Sequence, residues 1–462
     1  MMTEGQKAKH AMYEHVVNAD TSAKRRLAAL FDNGSYTEIG AYAGTGDRPA
    51  GVAAAFGYVN GVKAYAFSQD VSVMSGAVSA AHADKICRTL ELAAKNGTPV
   101  IGIYDSCGAF AEDGADALNA YGRILSVTNN ISGVVPQIAV IAGVCSGSSA
   151  MIAECADIVV MAQDAQFYMA AGADSGSAET AARSGAVSLT AATDIEAVEL
   201  ARNLVMLIPQ NNLSPVPEFE YSESNKPVSG TAAEIAAALA DADSVTELSS
   251  GFGTAAYTAL ATIGGSTAGI VATNKTKARL TGADCDKIAR FVRFCDSFSI
   301  PVVTAVDTEG FELSAASDKA GSVRDIARLS NAYAEATTVK IAVVTGKACG
   351  SAFVALAGSN ANADMTFAYA DSVIAAMDPV AAAEFLYHDE LRNADDVKAK
   401  RNELAQRYAD EFGSAADAAA KAAVDVITDP VSVRAAVISA LYISSGKRAD
   451  RRFPKKHGNA AF

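Results

Sequence analysis

Two short segments of small residues, CSGSS at 145–149 and ACGSA at 348–352, could bind an oxygen atom that gains negative charge. Each segment follows an apolar run typical of a strand and precedes a run of helical period, so several backbone N–H groups lack an intrahelical partner there. Such N–H groups point outward at the positive end of the helix dipole. Small residues are needed because a bulky side chain would block the ligand from the backbone. The segments therefore predict two oxyanion sites.

The two segments belong to a longer internal repeat. Residues 83–110 match residues 285–311, and residues 138–153 match residues 341–356. The residues that fall on each other include Asp105 with Asp307, Gly143 with Gly346, Gly147 with Gly350 and Ser148 with Ser351. Glycine and serine at a strand–helix junction often serve packing alone. Because both copies keep the turn, we favour a ligand-binding role and interpret the chain as a duplicated domain.

The surrounding pattern predicts an α/β fold. Apolar runs such as PVIGIYD (99–105) and PVVTAVD (301–307) are typical of buried strands, and they alternate with segments of helical period. Such alternation predicts a parallel sheet made of right-handed β-α-β units. The chain of 462 residues suits two domains of roughly 200 residues each. Because a stretch rich in Pro, Asn and Ser at 208–230 is typical of a linker, we predict domains at 1–225 and 226–462.

Composition argues against several classes of protein. The chain is 50% hydrophobic and 19% charged, which allows a large buried core. No apolar run approaches the roughly 20 residues that cross a bilayer, and the polar N-terminus lacks a signal peptide, so we expect a cytoplasmic protein. The net charge of −14 opposes binding to nucleic acid. Seven cysteines in mostly apolar segments favour reduced thiols over disulfides.

Side chains that could act as catalysts are scarce. The chain has five histidines, most of them near its ends. No pair of His or Cys residues has the spacing of a metal site, so we expect no metal. Cys145 and Cys349 lie where a helix N-terminus would lower a thiol pKa, but their places are not equivalent and neither has an evident His base. Asp105 and Asp307 could be bases, although an Asp at this place more often organises the turn.

Several segments resemble one known family. They are GYVNGVKAYAFSQDVSVMSGAVSAAHADKI (57–86), YDSCGA (104–109), PQIAVIAGVCSGSSA (136–150), DKIARFVRFCDSFSIPVVTAVDTEGF (286–311) and the closing PKKHGN (454–459). They resemble the carboxyltransferase subunits of biotin-dependent acyl-CoA carboxylases and decarboxylases. Propionyl-CoA carboxylase β-type chains and methylmalonyl-CoA decarboxylase α-type chains are members of that family. The resemblance covers nearly the whole chain.

The resemblance implies two tandem crotonase-like domains, each a β-β-α superhelix, and subunits that assemble as a hexamer. In the family, the N-terminal domain of one subunit binds acyl-CoA and the C-terminal domain of its dimer partner binds biotin. By motif, Gly147 and Ser148 would hydrogen-bond the thioester oxygen, and Gly350 and Ser351 the ureido oxygen of biotin. The further substrate-binding residues that it implies are Cys107, Gly108, Ala109 and Gly310. Both oxygens carry charge in the enolates of the thioester and of biotin, so no side-chain base is needed.

The reaction that the resemblance implies is transfer of a carboxyl group between biotin and a short acyl-CoA, with propionyl-CoA and methylmalonyl-CoA as the expected pair. The chain has neither an M-K-M motif that accepts biotin nor an ATP-grasp signature. Biotin is therefore expected on a separate biotin carboxyl carrier protein, with a biotin carboxylase or a membrane decarboxylase subunit as a further partner. A sodium-pumping decarboxylase would place the chain at the inner face of the membrane. The direction of the reaction stays open.

Several residues depart from the family pattern. Cys107 replaces a glycine, Phe110 replaces a basic residue, and Ser148 and Ser351 replace the second glycine of each Gly-Gly pair. The segment 172–195 lacks the usual family motifs. These departures leave open a non-catalytic paralogue that serves as an assembly or regulatory subunit. A crotonase-type hydratase or isomerase is less favoured, because it needs positioned Glu residues near the turns.

Overall fold

The computed structural model describes residues 2–7, 14, 17–45, 48–170, 172, 176–359 and 361–448. The chain divides into two units, Met1–Pro215 and Val216–Phe462. The closing motif at 454–459, which contributed to the family resemblance, lies outside the described residues. So do residues 173–175 of the segment that departs from the family pattern. None of the described helices is long and apolar enough to cross a membrane.

The first unit is organised around an eight-stranded sheet. The strands of this unit are β1 (Tyr36–Glu38), β2 (Gly44–Thr45), β3 (Arg48–Pro49), β4 (Val52–Val59), β5 (Val62–Gln69), β6 (Val100–Ser106), β7 (Gln137–Ser146), β8 (Ile158–Ala162), β9 (Gln166–Tyr168) and β10 (Leu189–Ala191). The strand order is β1-β4-β5-β6-β7-β8-β10, and β9 pairs with β7 beside this path. Strand β4 pairs antiparallel with β1 and with β5, and the pairings from β5 onward are parallel.

The second unit repeats this order. Its strands are β11 (Thr246–Leu248), β12 (Tyr257–Ile263), β13 (Ser266–Ala272), β14 (Val302–Val306), β15 (Lys340–Val344), β16 (Lys347–Cys349), β17 (Met365–Tyr369), β18 (Val373–Ala375) and β19 (Val426–Thr428). The main sheet runs β11-β12-β13-β14-β15-β17-β19, and β16 pairs with β18 in a separate two-stranded sheet. Strand β12 pairs antiparallel with β11 and with β13, and the pairings from β13 onward are parallel.

Helices connect the parallel strands in both units. The first unit contains α1 (Ser22–Leu30), α2 (Ala80–Asn96), α3 (Ala115–Asn130), α4 (Ser148–Ala153), α5 (Ala178–Ser184) and α6 (Asp194–Leu207). The second contains α7 (Ala232–Leu239), α8 (Gly282–Ser297), α9 (Ala315–Ala320), α10 (Ser322–Glu335), α11 (Ser351–Leu356), α12 (Pro379–Leu386), α13 (His388–Arg392), α14 (Val397–Phe412), α15 (Ala415–Ala420) and α16 (Val433–Ser444). The α/β fold class predicted from the sequence is therefore confirmed.

Local sequence explains why the central elements form. The apolar strands β6 and β14 are buried along their whole length, as expected of parallel strands covered on both faces. Helix α2 begins after Ser79, whose side chain accepts the N–H of His82, and α8 begins after Thr281, which accepts the N–H of Asp284. Helix α2 ends at Asn96 and is capped by Gly97, whose left-handed conformation suits glycine. The sequence did not predict the antiparallel strands at one edge of each sheet, because a buried apolar run does not reveal the direction of a strand.

A close contact between aspartate and glycine recurs at the same place in both units. A Cβ atom added to Gly143 would lie 2.1 Å from Oδ1 of Asp105. One added to Gly346 would lie 2.4 Å from Oδ1 of Asp307. Since cores are packed to the density of organic crystals, any larger residue must displace the carboxylate. The carboxylate thus fills the space that the glycine leaves.

Replacing Gly143 by alanine should destabilise the protein. We expect Gly143→Ala to lower the free energy of unfolding by about 1–3 kcal/mol, because the new methyl group must displace a buried carboxylate. Gly122→Ala is the matched control, since nothing lies within 4 Å of a Cβ added there in the middle of α3. It should stabilise by about 0.5–1 kcal/mol. Thermal unfolding of the full chain measures both, and an unchanged midpoint in Gly143→Ala would contradict the packing argument.

Candidate active site

Gly147 forms the turn between β7 and α4. Its φ and ψ angles are 56° and −125°, a positive φ that residues with side chains rarely adopt. Its N–H donates to the carbonyl oxygen of Tyr168 at 2.9 Å. Its carbonyl oxygen accepts the N–H of Met151 at 3.1 Å. The glycine is therefore held between a neighbouring strand and the new helix.

Gly350 repeats this geometry in the second unit. Its φ and ψ angles are 56° and −132°. Its N–H donates to the carbonyl oxygen of Ala375 at 2.9 Å, and its carbonyl oxygen accepts the N–H of Val354 at 3.3 Å. Strands β9 and β18, which supply the two acceptors, each pair in parallel with the strand that leads into the turn. The internal repeat thus extends to the backbone conformation of the turns.

The N–H groups that remain open at the turns belong to the first helical residues. Within the described part of the chain, the N–H groups of Ser148 and Ser149 have no hydrogen-bond acceptor, and the same holds for those of Ser351 and Ala352. Such N–H groups point out of the helix end. The N–H groups of the two preceding glycines, by contrast, already have acceptors in the protein. The glycines therefore set the turn, and the serines present the donors.

Cys107, Gly108 and Ala109 lie on a loop that follows β6 and pairs with another stretch of backbone. The N–H of Cys107 donates to the carbonyl oxygen of Ser75 at 3.1 Å. The carbonyl oxygen of Gly108 accepts the N–H of Val78 at 2.8 Å. Ala109 forms a parallel bridge with Val78, and the side chain of Cys107 is exposed. The backbone of the loop is fixed while the thiol faces outward.

Gly310 occupies the corresponding place in the second unit. Its φ is 94°, and its N–H donates to Oγ1 of Thr308 at 3.1 Å. Gly108 has a φ of 118°, and its N–H donates to Oγ of Ser106 at 3.1 Å. The carbonyl oxygen of Gly310 accepts the N–H of Leu280 at 2.9 Å. Gly108 and Gly310, both expected from the sequence to bind substrate, thus have the same hydrogen-bonding pattern.

Phe110 lies close to a cation from elsewhere in the chain. The guanidinium carbon of Arg48 is 4.8 Å from the centre of its ring. Arg48 also approaches Glu112 at 3.6 Å. Positive charge is therefore present at the loop, supplied by the short strand β3. No motif in the sequence could have linked these residues, because the contact forms only when β3 folds against the loop.

The cysteines beside the turns do not have the properties of nucleophiles. Burial raises the pKa of Cys145 well above its usual range and also raises the pKa of Cys349. A catalytic thiol needs a lowered pKa, so that the thiolate forms near neutral pH. Within the described residues, no group of three or more His, Cys, Asp and Glu side chains could hold a metal ion.

His82 is a buried hydrogen-bonding residue. Its side chain is completely buried, and desolvation lowers its pKa to about 3, so the ring is neutral at physiological pH. Its Nε2 lies 3.2 Å from Nε2 of Gln69. Because Nε2 of a glutamine side chain can only donate, Nε2 of the neutral ring accepts this hydrogen bond from the Gln69 amide.

Two side-chain contacts near the turns could not be predicted from the sequence. The hydroxyl of Tyr121 lies 2.9 Å from Oγ of Ser149, and both residues are buried. The ammonium group of Lys347 lies 2.6 Å from a carboxylate oxygen of Glu309 and also pairs with Asp378. The partners come from different elements of the fold. Only the packed structure brings them together.

Comparison with known proteins gives consistent results over nearly the full length. Residues 19–460 match the family described as carboxyl transferase domain. The methylmalonyl-CoA carboxyltransferase 12S subunit of Propionibacterium freudenreichii subsp. shermanii is 33% identical in sequence, and the alignment covers 95% of this chain and 91% of that protein. The methylmalonyl-CoA decarboxylase subunit alpha of Propionigenium modestum is 30% identical to 95% of this chain, over 92% of its own length.

A solved structure supports the same assignment. The structure of transcarboxylase 12S, described as a hexamer with methylmalonyl-CoA and methylmalonic acid bound, superposes with a TM-score of 0.91 at 30% identity. It covers 100% of this chain and 99% of the other. The likeness confirms the expected α/β fold of crotonase-like domains. The match to the family and the identity to its relatives show that this chain belongs to the carboxyl transferase domain family.

Proposed function

We propose that this chain is an enzyme that transfers a carboxyl group between biotin and a short-chain acyl-CoA, with propionyl-CoA and methylmalonyl-CoA as the expected pair. The observation that carries the proposal is the pair of turns with one backbone conformation and open N–H donors. Membership of the family and the names of the relatives support the choice of reaction and substrate.

The first turn is proposed to bind the carbonyl oxygen of the thioester. Negative charge develops on this oxygen when the α-carbon becomes a nucleophile, and donors that are fixed beforehand stabilise the charge without reorganising. Gly147 sets the turn and Ser148 supplies the N–H. The neighbouring loop with Cys107, Gly108 and Ala109 is proposed to line the acyl-CoA side.

The second turn is proposed to bind the ureido oxygen of biotin. Gly350 sets this turn, Ser351 supplies the N–H, and Gly310 lies on the corresponding loop. When bound, biotin would supply the carboxyl group and the base for the α-proton of the thioester, while Gly350, Ser351 and Gly310 would hold it. The residues fit this group, since a ureido oxygen accepts hydrogen bonds and the small residues of the turn leave its donors open. A side-chain base is then not required.

In this proposal the domain at 1–225 forms the acyl-CoA side and the domain at 226–462 the biotin side. Biotin arrives on a biotin carboxyl carrier protein, and a biotin carboxylase or a membrane decarboxylase subunit completes the system. A homo-oligomer is expected, because the related 12S structure is described as a hexamer. We place the protein in the cytoplasm, or at the inner face of the membrane if its partner is the membrane subunit.

Proline at either turn should nearly abolish carboxyl transfer. Ser148 and Ser351 are the first residues of their helices, a position that accepts proline, so Ser148→Pro and Ser351→Pro remove the N–H with little other change. We expect kcat to fall on the order of 10²–10³-fold, the effect of losing one oxyanion donor. The assay follows propionyl-CoA formed from methylmalonyl-CoA with free biotin or a biotinylated carrier as the acceptor.

The matched controls are Ser148→Ala and Ser351→Ala, which remove the hydroxyl and keep the N–H. They should keep a kcat close to that of the unsubstituted protein. Equal losses in the alanine and proline variants would refute the assignment of the N–H groups. Absence of turnover in the folded, unsubstituted oligomer over a panel of malonyl-type thioesters would overturn the proposed function and favour a non-catalytic subunit.

Acyl-CoA should protect Cys107 from alkylation. Its side chain is exposed, whereas that of Cys155 is only partly exposed, so iodoacetamide should react faster at Cys107. We expect propionyl-CoA to slow the reaction at Cys107 and to leave the rate at Cys155 unchanged. Mass spectrometry of the digested protein measures both rates in one sample. Equal rates at Cys107 with and without propionyl-CoA would argue against placing this loop on the acyl-CoA side.

A further inference from the structure

We propose that Asp105 and Asp307 are positioning residues, each holding one of the two turns in the geometry that catalysis needs. Asp105 serves the turn proposed for the thioester and Asp307 the turn proposed for biotin. This inference rests on the proposed function. The inference goes beyond that function because it assigns a role to two carboxylates outside the proposed oxyanion donors. Each carboxylate is expected to affect a different half of the reaction.

Asp105 links three successive strands of the first unit. Its N–H donates to Oε1 of Gln69, at the end of β5, at 3.0 Å. Its Oδ1 accepts the N–H of Val144, in β7, at 3.2 Å. The carboxylate reaches this N–H only because Gly143 has no side chain in its path. The Gln69 side chain is in turn held by His82, whose neutral ring lies 3.2 Å away.

Asp307 makes the corresponding links in the second unit. Its N–H donates to Oγ1 of Thr273, just after β13, at 3.0 Å. Its Oδ1 accepts the N–H of Lys347, at the start of β16, at 2.9 Å. Gly346 provides the space. The same bonds thus recur although Gln has been replaced by Thr, which indicates that the arrangement itself is retained.

The bonds act where the regular sheet ends. The pairing of β6 with β7 shifts register between Tyr104 and Ser106, so Asp105 lies at the irregularity. In the second unit the ladder of β14 and β15 ends at Val306 and Val344. In both units the aspartate carboxylate therefore accepts a backbone N–H that has left the regular ladder. A few residues further along the chain lies the turn glycine. A carboxylate that fixes the chain just before the turn also fixes the direction of the N–H groups after it.

The two aspartates differ in their counter-charge. Oδ2 of Asp105 accepts a hydrogen bond from Nη1 of the buried Arg26 at 2.8 Å. Arg26 also bonds Oδ2 of Asp194 at 2.8 Å and the carbonyl oxygen of Ala142 at 3.0 Å. Asp307 is partly exposed. Removing the Asp105 carboxylate therefore leaves a buried cation with one partner fewer, which is costly, whereas removing that of Asp307 does not.

The test uses the full-length protein with [1-13C]propionyl-CoA bound, observed by isotope-edited infrared spectroscopy. A thioester carbonyl held by oxyanion donors absorbs at lower wavenumber than the free thioester. We expect Asp105→Ala to lose most of this shift and Asp307→Ala to keep it. Both variants should lower kcat for carboxyl transfer about 100-fold, the effect of a misplacement near 1 Å. The KM for methylmalonyl-CoA should change much less than kcat.

Conservative variants and a surface control separate positioning from folding. Asp307→Asn keeps the oxygen that accepts the N–H of Lys347 and should restore most of kcat. Asp105→Asn is combined with Arg26→Met, because the amide NH2 would otherwise face the Arg26 guanidinium, and this variant should also restore most of kcat. Asp84→Ala, which removes a surface carboxylate paired with Arg123, should leave the infrared shift and kcat unchanged. If Asp105→Ala does not fold, the double variant Asp105→Ala/Arg26→Met removes the buried cation as well and is measured in its place.

The outcomes distinguish the two proposals. An unsubstituted protein that shows neither the infrared shift nor turnover overturns the proposed function. A shifted band and full kcat in folded Asp105→Ala, or full kcat in Asp307→Ala, overturns the positioning role. Equal loss of the infrared shift in both alanine variants overturns the separate assignment of the two aspartates. Loss of the shift in Asp105→Ala alone, with recovery in the asparagine variant, supports the proposal.

Discussion

One hydrogen bond in each unit, from the N–H of the turn glycine to a carbonyl oxygen of a short neighbouring strand, is the interaction on which the site depends. Through it Gly147 is tied to β9 and Gly350 to β18. The bond holds the glycine at positive φ and uses up its N–H. The donors that remain are then the N–H groups of the next residues, which have no acceptor within the described part of the chain. This hydrogen bond of the glycine therefore decides which N–H groups of the turn can bind a ligand.

The parallel order of the central strands brings the other parts of each site to the same edge. Strands β6 and β7 are neighbours, so the loop after β6 and the turn after β7 emerge side by side. In the second unit β14 and β15 are likewise neighbours, and the chain runs from β15 through β16 to the turn at Gly350. Ligands of open parallel sheets bind outside the carboxyl ends of the strands, which is where both loops and both turns lie.

Sequence reasoning found the elements of the site whose signal is local. The glycines at 147 and 350 and the strands that precede them could be predicted from spacing and from the internal repeat. Which N–H groups stay open could not be predicted, because the acceptors Tyr168 and Ala375 lie on strands that approach only in the folded chain. The burial of His82 also depends on packing, since at the start of a helix it looks like a surface residue.

The contact between each aspartate and its glycine has a consequence for the history of the chain. Since the carboxylate of Asp105 occupies the volume that any side chain at position 143 would need, neither position can change alone without a clash or a void. The two positions therefore behave as one inherited character, as do 307 and 346. The acceptor for the aspartate N–H differs between the units, Gln69 in the first and Thr273 in the second, while both Asp–Gly pairs are present. In lineages of this domain, substitutions at paired positions should be found together.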